Sequence, residues 1–216
     1  MRRFLIASLL VLVACRPSPE RLRNGDLIFV GIPADYRLED SMSDAIGSST
    51  CRDSLNIIHA AIAEVKGDSV WIIDATIKRG VDRHPLDTFL RDFTLKDGSM
   101  PEFIVMRLRD NHGAGSYVDK AKGFLGMSYN CSFVPCDTAR YCTELVRDSY
   151  RLRDGSYIFS EAPMNFLSAD GTMPPYWVSL FALLGQEVPQ GLPGTNPKAM
   201  MAEACLRRVN TDILSR

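Results

Sequence analysis

Residues 56–76 read NIIHAAIAEVKGDSVWIIDAT, two apolar runs separated by Lys66-Gly67-Asp68. Gly67-Asp68 between alternating apolar segments is a strong hairpin signal, because a tight turn there needs a positive φ that glycine supplies freely. A two-residue turn pairs position 59 with 76 and position 61 with 74. His59 and Asp74 then become diagonal neighbours on one sheet face, roughly 7–8 Å apart at the backbone and within side-chain reach. A four-residue loop keeps that parity, whereas a three-residue loop breaks it. The hairpin can therefore present an imidazole held by a carboxylate, which is the orienting half of a Cys-His-Asp triad. Taken singly, each residue has a plainer reading: His59 as a satisfied core histidine, Asp74 as a strand-end carboxylate bonding a turn.

Outward from the hairpin, GDLIFVGI (25–32) reads as a buried strand, and the polar stretch 37–55 as a loop with a short helix over 43–47. HPLDTFLRDF (84–93) has helical apolar spacing with Pro85 in its first turn, and PEFIVMRLR (101–109) reads as another strand. SYVDKAKGFLGM (116–127) is an amphipathic helix expected to end at Gly126, followed by a loop over 127–139. Shorter elements over 174–189 and 194–206 close the chain. Strands with segregated helices imply an α+β fold, an antiparallel sheet packed against helices, rather than a doubly wound one.

A missing nucleophile is supplied by RYCTELVRDSY (140–150), which places Cys142 in the first turn of a helix. Free backbone N–H groups and the positive end of the helix dipole both stabilise a thiolate there. A small buried residue also suits that position. Thr143 and Glu144 fit a helix N-terminus, and Leu145 and Val146 fit a core-facing stripe. Tyr129 and Tyr141 read either as cleft lining or as packing. His84, before a proline, and His112, in the loop NHGAG, read as surface residues with no assigned role. That loop lacks the spacing of a phosphate-binding motif.

These pieces together resemble the circularly permuted branch of the NlpC-type papain-like cysteine hydrolases, the YiiX/YebB-like proteins. The resemblance rests on GDLIF, IIHAAI, WIIDAT, the pattern Gly126-x-x-Tyr129-Asn130-x-x-Phe133, YCTELV and the late PGTNP, and it covers about residues 24–201. It implies a permuted papain-like fold with Cys142 as nucleophile, His59 as its base and Asp74 orienting the ring. The backbone N–H of Cys142 would contribute to an oxyanion hole. Asp74 stands where the family commonly has Glu, and Asn130 where Asp is more usual. For activity the resemblance implies amide hydrolysis in cell-wall stem peptides, such as the bond after γ-D-glutamate. The permuted branch also implies a lipid amide or ester, for which PPYWVSLFALLG (174–185) can line an acyl site as readily as it can pack a core. A binding lipoprotein whose triad has decayed is the non-enzymatic alternative.

The N-terminus is read apart from the domain. MRRFLIASLLVLVAC has two arginines, an apolar run from Phe4 to Ala14, and then Cys15. The run has the proportions of a signal peptide and is shorter than the roughly 20 residues a spanning helix needs. LVAC resembles a bacterial lipobox, which implies a signal peptide over 1–14, lipidation of Cys15, a tether over 15–23 and a hydrolase domain over 24–216. The expected location is the cell envelope, anchored in the outer membrane and facing the periplasm. Net charge −1, with 24% charged residues and no basic run, gives no electrostatic case for nucleic acid. No cofactor is expected. Cys131, Cys136, Cys142 and His59 lack the short spacings of a structural zinc site. With Cys15 set aside, the remaining Cys51, Cys131, Cys136, Cys142 and Cys205 are odd in number, which suggests one free thiol and a local Cys131–Cys136 disulfide.

Overall fold

A computed structural model describes residues 19–34, 36, 42–50 and 54–214. The signal peptide expected over 1–14, Cys15 with the first tether residues, and Cys51 lie outside the described residues. The elements are β1 (Leu27–Pro33), α1 (Met42–Thr50), β2 (Leu55–Lys66), β3 (Ser69–Thr76), β4 (Gly80–Pro85), α2 (Leu86–Phe93) and β5 (Glu102–Leu108). They continue as α3 (Ala114–Lys122), β6 (Ser128–Tyr129), β7 (Ala139–Arg140), α4 (Cys142–Ser149), β8 (Ala162–Pro163), α5 (Pro175–Leu184), β9 (Pro193–Gly194), α6 (Pro197–Met201) and β10 (Leu206–Arg208).

Six strands form one sheet in the order β10-β5-β1-β2-β3-β4, and every neighbouring pair in it is antiparallel. The β2–β3 hairpin has the register of a two-residue turn, Ile62↔Ile73 through Lys66↔Ser69, with Gly67 at φ 58°. One sheet face packs on α3 and α4 through Tyr117, Val118, Leu145, Val146 and Tyr150. Leu145 and Val146 are fully buried, each contributing about 1.5–3 kcal/mol through burial. The other face packs on α2 through Leu86 and Phe89. A third cluster joins α1 and α5 to the connecting loops through Met42, Phe133, Met164, Phe166 and Trp177.

Several local expectations are corrected by the packing. Helix α3 ends at Lys122 with Gly123 as its cap, and Gly126, at φ 86°, serves the following turn instead. Its N–H donates to Val81 O, which ties that turn to β4. The stretch 80–85, before the helix of Leu86, is itself a strand, and His84 in it is buried rather than on the surface. Pro85 precedes α2 as its N-cap. The loop expected over 127–139 contains the first of two short parallel strands, β6, and the start of the second, β7. Residues 20–23, expected as tether, are docked on the domain. Leu22 is buried, and Arg107 is clamped in bidentate fashion by Asp26 at 2.6 and 2.8 Å while also reaching Glu20 at 2.9 Å. A buried guanidinium needs such partners, because an unpaired charge there is costly. Cys131 and Cys136 are both free thiols, so the expected disulfide is not formed.

Candidate active site

Three elements meet at the site. Opposite β1, the register of β2 slips between Val30↔His59 and Gly31↔Ile57. That bulge sits directly beside His59, and bulges of this kind re-aim side chains at sheet rims. His59 Nε2 lies 2.8 Å from Asp74 Oδ2, and both side chains are buried. The diagonal relation expected from the hairpin parity thus closes into a hydrogen bond. With Nε2 engaged by Asp74, the other ring nitrogen remains for Cys142, which lies near enough to influence the imidazole. Burial pulls the His59 pKa down, but its hydrogen bonds to Asp74 and Cys142 and their charges outweigh it and raise the imidazole to about 10. The ring is braced by Phe93, with centroids 4.8 Å apart.

Cys142 is buried and is the first residue of α4, after Tyr141 in extended conformation as N-cap (φ −91°, ψ 169°). Glu144 closes the turn by accepting from the Tyr141 N–H at 3.2 Å and from Asn130 Nδ2 at 3.1 Å. Burial nevertheless pushes the Glu144 carboxyl up. Thr195 Oγ1 donates to Thr143 Oγ1 at 2.8 Å, and the Thr195 N–H donates to Tyr141 Oη at 3.1 Å. So PGTNP, far along the chain, clamps the start of the helix that YCTELV forms. Asn196 in the same segment caps α6 by accepting from the Ala199 N–H at 2.8 Å.

A cavity of about 410 Å³ opens beside Cys142, walled by Tyr129, Phe133, Tyr141, Met164, Phe166 and Trp177. Phe133 stacks edge-on against Phe166 and Trp177, at 5.6 and 5.5 Å. It holds φ 56°, the one left-handed non-glycine among the described residues. Such a conformation costs a bulky side chain on the order of 1–3 kcal/mol, so the surrounding packing must over-determine it. A second groove, of about 280 Å³, lies on the His59 side and is lined by Thr76, Lys78, Arg79, Asp92 and Phe93. Lys78 and Arg79 both pair with Asp92 there. Tyr129 borders both spaces, and burial together with the nearby Cys142 thiol holds its phenol well above the usual range. The aromatic wall is what the sequence reading left undecided: residues 133, 166 and 177 come from separate segments, and only the alternative of an acyl site over 174–185 pointed at one of them. His84, which the following proline marks as a surface residue, is instead buried in β4, a strand without the apolar alternation that would announce it.

The described residues contain no grouping of three or more His, Cys, Asp or Glu placed to hold a metal ion. In addition, no helix among them is long and apolar enough to cross a membrane. Among solved structures the chain is similar to one described as the metalloprotein yiiX from Escherichia coli O157:H7. The two superpose with a TM-score of 0.65 at 19% identity, over 88% of this chain and 97% of that one, which is a likeness of fold. No curated protein matches the chain. A family model described as the permuted papain-like amidase enzyme, YaeF/YiiX, C92 family, matches residues 21–210, and the chain belongs to that family of papain-like cysteine amidases.

Proposed function

We propose that the protein cleaves an acyl amide through a triad of Cys142, His59 and Asp74, holding an apolar acyl group in the cavity beside Cys142. The observation that carries this is the imidazole bound by Asp74 at 2.8 Å, with Cys142 near enough to act on it from a helix start. His59 takes the Cys142 thiol proton as Sγ attacks the carbonyl carbon, and the oxyanion that forms lies near the N-terminal N–H groups of α4, which lack intrahelical acceptors. The C–N bond then breaks as His59 gives its proton to the leaving nitrogen. Water, deprotonated by His59, attacks the thioester and releases the acid and the free thiol.

The two spaces divide the substrate by this chemistry. The acyl carbon must bond to Cys142, which lines the aromatic cavity, while the leaving nitrogen must face His59, which lines the groove of Thr76, Lys78, Arg79 and Asp92. The aromatic and Met side chains of the cavity suit a hydrocarbon acyl chain, while Asn165, Asn196 and Lys198 on the same lining suit a polar unit. Cell-wall peptide cleavage is the second reading, since a stem peptide is also an amide that a papain-like amidase can cleave. Anchoring in the bacterial envelope through Cys15 belongs to this proposal and would bring the domain to membrane lipids.

The test incubates wild type and Cys142→Ala with N-acyl amides of increasing chain length and, in parallel, with purified stem peptides. Turnover of the acyl amides that rises with chain length and vanishes in Cys142→Ala is the expected result. Turnover of stem peptides alone would replace the acyl reading with the cell-wall one. Activity that persists in Cys142→Ala would remove the triad.

A further inference from the structure

Asp74 uses only half of its carboxylate on His59. Its Oδ2 takes the imidazole at 2.8 Å, whereas Oδ1 is buried and has no hydrogen-bond partner. A buried carboxylate oxygen left unpaired costs roughly 1–3 kcal/mol or more, so the residue facing it needs an account. That residue is His84. It is buried, both its ring nitrogens lack hydrogen bonds, and its Nε2 faces Asp74 Oδ1 at 3.9 Å. The register explains the meeting: Asp74 pairs with Asp82 and Ile72 with His84, so Asp74 and His84 are diagonal neighbours on one face of β3 and β4. On its other side, His84 Nδ1 faces Asp82 Oδ2 at 3.4 Å. Phe89 of α2 covers both histidine rings, at 6.3 Å from His59 and 6.4 Å from His84.

We propose that His84 is a positioning residue for the triad, its Nε2–H donating to Asp74 Oδ1 and fixing the carboxylate from behind. A small movement of either side chain closes the remaining distance. The need for it follows from the length of Asp74. An aspartate reaches His59 with a short side chain, and a carboxylate pinned at one oxygen alone is free to rotate about its last bond. Pinned at both oxygens, it holds the imidazole plane in one orientation. His84 touches no reacting atom; it acts through Asp74 and His59.

The proposal rests on the triad reading only for its kinetic arm, so the experiment has two arms. His84→Leu and His84→Gln are compared with wild type by NMR titration of His59 and by steady-state kinetics. In His84→Leu the His59 titration should shift downward from about 10. Its kcat should fall on the order of tenfold with KM little changed, the pattern of an interaction felt in the transition state. His84→Gln, which keeps an N–H donor, should recover part of both. If His84→Leu does not fold, His84→Phe, which likewise lacks a donor for Asp74, takes its place. An unmoved His59 titration in a folded variant without that donor overturns the proposal, whatever the melting temperature does. If no substrate is turned over by wild type, the proposed function fails while the titration still judges His84.

Discussion

His59 and Asp74 are fifteen residues apart in sequence and 2.8 Å apart in space, joined across the hairpin turn of Gly67-Asp68. The bond combines a buried imidazole with a buried carboxylate, so its worth is best read through protonation.

Asp74→Asn keeps the side-chain volume and removes the charge. Because the His59 pKa is raised above 6.5 to about 10, its protonation contributes stability that is fully present below about 6.5 and is lost as pH rises through about 10. In Asp74→Asn the His59 titration should drop and the loss of stability between those pH values should flatten. NMR titration and denaturant melts across pH read both effects. Turnover should fall roughly 10²–10⁴-fold, as when the orienting carboxylate of a triad is neutralised. An unchanged His59 titration would mean that Asp74 does not set the imidazole.

Alkylation separates reactivity from exposure. Among the described cysteines Cys136 is the exposed one, whereas Cys142 is only 4% exposed. Burial pushes the Cys131 and Cys205 thiols up, away from thiolate. Cys142 should nonetheless react with iodoacetamide fastest of the four, and His59→Ala should slow it near neutral pH. Mass mapping of timed reactions checks this. If Cys136 leads and His59→Ala changes nothing, Cys142 is a packing residue.

Gly80 opens β4 at φ 68°, and a Cβ there would collide with the Met127 carbonyl oxygen. That carbonyl also accepts from the Val81 N–H at 2.8 Å. Gly80→Ala should therefore cost about 2 kcal/mol or more, from the strained φ and the clash together. It should also lower turnover, because β4 carries His84 against Asp74. Chemical denaturation measures the first effect; a loss below about 0.5 kcal/mol would show that β4 yields freely.

For the anchor, Cys15→Ser expressed in a bacterial envelope should leave the membrane fraction, while the wild-type chain stays in it. Identical partitioning of the two would end the lipoprotein proposal.

Local signals were legible wherever few residues decide the outcome. The hairpin register follows from Gly67-Asp68 and a period of two, and α4 follows from the YCTELV pattern, which also puts Cys142 at its first position. From these, the α+β sheet and the His59–Asp74 pairing could be read before any packing was known. What needed the tertiary structure were the features set by distant segments closing on one another. His84 sits in a strand of mostly polar residues, so no periodicity marked it, and only the pairing of β4 with β3 and the cover of Phe89 bury it. The end of α3 at Gly123 and the docking of Leu22 were likewise fixed by contacts rather than by pattern. The cavity beside Cys142 is the fullest case. Phe133, Phe166 and Trp177 each look like ordinary core residues in the sequence, and their ring contacts, made across loops of no regular period, turn them into one wall. Periodicity reports which face of an element is apolar, but burial against a particular partner depends on long-range closure that no short stretch of sequence encodes.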